Sequence, residues 1–79
     1  MTQPTINPAL FARYRYRIEP CIAQAAANNA RVSLRAHEDG AKIFAEPQPP
    51  DGIAWGVNDP KTGAALLRGR RLPDGSDAP

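Results

Sequence analysis

Ile53 to Leu67 reads I-A-W-G-V-N-D-P-K-T-G-A-A-L-L, and this stretch decides the fold. Ile53, Trp55 and Val57 alternate along one face of an extended segment. The alternation breaks at Asn58-Asp59-Pro60-Lys61-Thr62-Gly63 and resumes as an apolar run. Pro60 presets φ for the second position of a type I turn, the Asp59 carboxylate can accept from the turn backbone, and Gly63 supplies the positive φ of a bulged return. The stretch is therefore a β-hairpin. It carries the only tryptophan of the chain, which places the core on its alternating face.

A second hairpin lies upstream. Val32, Leu34 and Ala36 share one face and Arg31, Ser33 and Arg35 the other, the pattern of a half-exposed strand over 31–36. Asp39-Gly40 makes the return into a second strand over 41–46. Pro47-Gln48-Pro49-Pro50-Asp51-Gly52 follows as a connector, because prolines lack the donors a strand interior needs. With strands at 53–58 and 64–70, the chain reads as a four-stranded antiparallel meander.

The N-terminal third reads as helix. Asn7-Pro8 offers an N-cap and a proline at the first helical position. Leu10, Tyr14, Ile18, Cys21 and Ala25 then recur at helical spacing. Pro20 would remove a hydrogen bond and clash with the Tyr16 carbonyl, so the expectation is two pieces, about 8–18 and 20–29, with a kink or break at Glu19-Pro20. The Ala-rich run 23–27 favours the second piece, and Asn28-Asn29 is the stop. The fold class is α+β. Val32, Leu34, Ile43, Ile53, Trp55, Val57 and Leu67 should meet Leu10, Tyr14, Ile18 and Ile22, leaving Arg31, Ser33, Arg35, Lys42, Phe44, Ala54 and Gly56 on the wet face. Residues 1–72 form one domain, with a loose arm at 1–6. The segment 73–79 has nothing to bury and is expected to be a disordered tail.

Seventy-nine residues bury a small core, and oligomerisation or a partner is the usual supplement. One cysteine and one histidine allow neither an internal disulfide nor a four-ligand zinc site of nitrogen and sulfur donors. No segment has the length and apolarity of a signal-peptide core or a membrane span, so a cytoplasmic protein with no membrane attachment is expected.

The chemistry-bearing residues make no catalytic set. His37-Glu38-Asp39 sits in a solvated turn, and Cys21 lies on the apolar helical stripe with no base placed beside it. Phosphate-loop and calcium-loop patterns are missing, so the expectation is a non-enzyme with no cofactor and no metal. The net charge is +2, and the positive residues gather as Arg13/Arg15/Arg17 and Arg68/Arg70/Arg71. Arginines interleaved with tyrosines in Arg13-Tyr14-Arg15-Tyr16-Arg17 suit phosphates and bases, or a protein interface. On a helix, though, Tyr14 and Tyr16 diverge by about 200°.

In format, one small domain with a polar tail and no catalytic constellation, the chain resembles many small proteins of phages and other mobile elements. Inhibitors of bacterial defence systems are among them. The leading expectation is a protein that binds a protein partner through the wet sheet face and the Arg/Tyr segment, using Arg13, Tyr14, Arg15, Tyr16, Arg17, Arg31 and Arg35 with Arg68, Arg70 and Arg71. The alternative is a nucleic-acid-binding module that uses both arginine clusters.

Overall fold

The computed structural model describes residues 6–78. Helix α1, Pro8–Asn28, lies across an antiparallel sheet of five strands: β1 Val32–Arg35, β2 Lys42–Pro47, β3 Ile53–Asn58, β4 Ala65–Arg71 and β5 Asp77–Ala78. The strands stand side by side in chain order. This is the α+β meander the hydrophobic pattern predicts, with one strand added. The loose arm expected at 1–6 falls outside the described residues except for Ile6, which packs against the core.

The central hairpin forms as its sequence dictates. The Asp59 carboxylate accepts from the N–H groups of Lys61 (2.8 Å) and Thr62 (3.0 Å), which holds it below the ordinary carboxylate range. Asp59 N–H donates to the Ala64 carbonyl, and Gly63, at φ 76°, returns the chain. Val57 pairs with Leu67 and Asn58 with Ala65, so Leu66 is the extra residue of a β-bulge.

Alternation sorts the sheet into two faces. Ile43 and Ala45 on β2, Trp55 and Val57 on β3 and Leu67 on β4 are buried beneath α1, which contributes Tyr14, Ile18, Cys21, Ile22 and Ala25. The Phe11 ring tilts against Trp55 with centroids 5.6 Å apart. The Asn7 side chain caps α1 by accepting from Ala9 and Leu10 N–H, and Asn29 closes it in the left-handed conformation at φ 49°.

Two expectations need correction. The first is the break at Pro20: α1 runs unbroken from Pro8 to Asn28 with Pro20 inside it. Pro20 donates nothing to the Tyr16 carbonyl, yet Ile18, Cys21 and Ile22 bury their side chains on both sides of it. Packing of the apolar stripe outweighs the missing bond, since most helical stability in proteins comes from such packing. The second is the tail. Leu72 to Ser76 form a turn, with Leu72 N–H donating to the Ser76 carbonyl, and Asp77–Ala78 then pair with Arg71 and Arg70. The Arg71 guanidinium holds that strand, donating to Asp77 at 2.6 Å and to both Glu19 oxygens at 3.1 and 2.8 Å. A forked donor clamped between two carboxylates fixes the last strand to the helix. No described helix is long and apolar enough to cross a membrane.

Candidate functional site

The Arg/Tyr run on α1 is largely turned to internal use. Tyr14 is 4 % exposed, and its hydroxyl donates to Asp39 Oδ2 at 2.6 Å. Arg13 reaches the same oxygen at 3.4 Å. The Tyr16 hydroxyl accepts from His37 N–H at 2.7 Å, with the two rings edge to face. Arg17 Nε donates to the Arg35 carbonyl at 2.7 Å. The run therefore staples α1 to the turn between β1 and β2. Arg15 is exposed and makes neither a side-chain hydrogen bond nor an ion pair among the described residues.

The titratable groups of that turn show the same coupling. The hydrogen bond from Tyr14 is the main cause that holds the Asp39 carboxyl below its usual range, and Ala41 N–H and Arg13 add to it. The same bond raises the Tyr14 phenol, with burial acting in the same sense. Cys21 is fully buried, its thiol donating to the Val32 carbonyl at 3.3 Å, and burial pushes its pKa up. A thiol so placed is a packing residue rather than an exposed nucleophile.

The second arginine cluster divides between the two faces. Arg71 faces the helix and is consumed by Glu19 and Asp77, which keep it firmly protonated. Arg68 and Arg70 project together from the opposite, open face. There Arg70 meets Gln48 at 3.3 Å and Asp51 at 4.0 Å.

The open face is organised by register. Ser33 lies opposite Phe44, Phe44 opposite Gly56 and Gly56 opposite Arg68, one residue from each of four strands in a row. The Phe44 ring holds the middle of the face. The Arg31 guanidinium lies 4.7 Å from its centroid and that of Arg68 5.0 Å. Gly56 makes this possible: a Cβ there would come within 2.7 Å of the ring and 2.5 Å of Arg68 Nη1. Stacking on an aromatic ring fixes the plane of a guanidinium and leaves its N–H edge free. Arg31 shares a 3.3 Å contact with Glu46. Arg68 instead turns Nη1 back on the Leu67 carbonyl at 2.8 Å and has no carboxylate within ion-pair distance among the described residues.

Around this row stand Arg35, whose Nη1 reaches the Gly40 carbonyl at 3.3 Å, and the exposed Lys42. Glu46 and Asp51 are the carboxylates that answer them. The face is thus net positive and centred on an aromatic ring. Phe44 and Gly56 are its organising residues. Alternation alone puts them on this side of the sheet; their place between two arginines needs the register across three strand pairs, including the bulge at Leu66.

No family model matches the chain, and no curated protein or solved structure matches it significantly.

Proposed function

We propose that this chain is a non-enzymatic binding protein that docks an acidic protein surface in the cytoplasm on the open face of its sheet. The observation that carries the reading is the Arg31–Phe44–Arg68 stack, in which Arg68 is held in place with no carboxylate of its own. A preorganised guanidinium edge suits a carboxylate geometrically and loses little freedom on binding one. Both arginines already engage the ring, so a base stacking on Phe44 would have to displace them. This favours protein carboxylates over single-stranded nucleic acid. The molecule spans 32 × 32 × 19 Å, which gives its broad side room for the ~800 Å² that each partner buries in a standard interface.

Inhibition of a host or defence complex, the role suggested by format, is one way such a face would act. The test is affinity capture from nuclease-treated lysate with three versions of the protein. The unaltered chain should retain an acidic protein. The pair Arg31→Glu with Arg68→Glu should lose it with an unchanged circular dichroism spectrum, and Arg15→Glu, on the helix side, should keep it. Equal capture by the first two removes the reading. Capture that disappears with nuclease, and weakens steeply with salt, moves the partner to nucleic acid.

A further inference from the structure

The two edges of the sheet are finished differently. β1 is four residues long, and α1 serves its carbonyls: Cys21 Sγ donates to Val32 and Arg17 Nε to Arg35. β4 is seven residues long, and β5 pairs only with Arg70 and Arg71. Among the described residues no strand lies beside Ala65–Gly69 on the side away from β3. That stretch is instead lined by an open, largely apolar groove of about 280 Å³ formed by Ala65, Leu66, Leu67 and Arg68. An uncovered strand edge presents a row of backbone donors and acceptors to any second strand, and natural sheets usually blunt such edges. The edge here is covered for two residues and then left open.

We propose that the free edge of β4 is a strand-docking site for an extended segment of the partner that carries acidic residues at alternate positions. This deepens the open-face reading and rests on it for the charge of the partner. β5 already shows the geometry, because it lies antiparallel against the same edge. A docked strand takes the same direction further along β4, from Gly69 towards Ala65. Its backbone provides affinity and its alternating side chains provide selectivity. Arg68 projects from the open face and Leu67 from the helix-covered face. The residue opposite Arg68 is therefore acidic, and the residue opposite Leu67 is apolar and enters the groove. Arg68 keeps its place over Phe44 with Nη1 on the Leu67 and Val57 carbonyls, and its Nε and Nη2 groups, which make no hydrogen bond among the described residues, meet the incoming carboxylate.

Charge argues against a second copy as the occupant. Two β4 strands paired antiparallel would place Arg68 and Arg70 of one copy on the same face as those of the other, and like charges directly across a strand pair are destabilising.

The experiment is a titration of the isotopically labelled full chain with three blocked octapeptides, read by amide chemical shifts and hydrogen exchange. One alternates Glu with Val, one alternates Lys with Val, and one is the Glu–Val peptide N-methylated at alternate bonds along the edge that faces β4. The Glu–Val peptide should shift and protect amides within Ala65–Gly69. The Lys–Val and N-methylated peptides should each bind about tenfold more weakly or worse. The proposal is overturned if no peptide protects those amides, or if N-methylation leaves affinity unchanged. Protection that grows with protein concentration alone would overturn it too, in favour of a second copy. Failure here is separable from failure of the open-face reading. Shifts confined to Arg31, Phe44 and Arg68 would leave the face standing without the edge. Protection of β4 amides, with capture indifferent to Arg31→Glu and Arg68→Glu, would leave the edge without the face.

Discussion

The Tyr14 hydroxyl ties the helix to the turn between β1 and β2, and Tyr14→Phe isolates its contribution. Asp39 is partly exposed, so a modest loss is expected in urea unfolding, read as a lower midpoint at unchanged slope. The pH dependence follows from both partners. Asp39 is held below its ordinary value in the fold, so its contribution is fully present above about pH 4 and is lost as pH falls through the folded value. Tyr14 is raised, so its contribution is present below about pH 10 and lost as pH rises through the folded value. The variant should lose stability between those limits and show a shallower decline at both ends. An unchanged profile would mean that the bond does not couple to folding. At this scale the sequence is half legible. The spacing of Leu10, Tyr14 and Ile18 sends Tyr14 inward, but nothing in it says that Asp39 waits at the far end of the ring. Tyr16 is less legible still, because its partner is the His37 backbone, which every residue type except proline would supply equally well.

Among the elements, α1 carries an internal proline that its packing tolerates. Removing that proline should relieve the cost without disturbing the fold. Pro20→Ala restores a donor toward the Tyr16 carbonyl and is expected to stabilise by about 1–3 kcal/mol, less whatever the partly buried ring contributes by contact. For a domain of this size that corresponds to a rise of roughly 4–8 °C in Tm per kcal/mol. A lower melting temperature would show that the ring's packing, or its restriction of the unfolded chain, dominates. The hairpin of β3 and β4 was readable almost to the atom, since alternation, Asp59, Pro60 and Gly63 all act locally. The continuity of α1 was not, because the packing that overrides Pro20 comes from the sheet, which is distant in sequence. Nor was β5: two residues have no periodicity to read, and their strand character is conferred by Arg71 and the edge of β4.

For the molecule as a whole, the division into a covered and an open face followed from alternation. Of the expected core, Tyr14, Ile18, Ile22, Ile43, Trp55, Val57 and Leu67 are buried, Leu10, Val32, Leu34 and Ile53 only partly, and Ala36, Ala41 and Ala45 join them. The candidate site followed only in part. Arg31, Arg35, Arg68 and Arg70 reach the open face as a two-residue period requires. Arg71, one residue further on, points to the helix for the same reason. The junction of the two layers also holds the single thiol of the chain. Cys21 is fully buried where α1 meets β1, so a thiol reagent reaches it only when those layers part. If that parting is global unfolding, modification should run on the order of a thousandfold or more slower than in denaturant. Tyr14→Phe should then hasten it by the same factor by which it lowers the folding constant. A rate indifferent to Tyr14→Phe would mean that the far end of the helix frays while its hold on the β1–β2 turn persists. The sulfur atom is thus a clock set into the seam of the protein, and its ticking reports how often helix and sheet come apart.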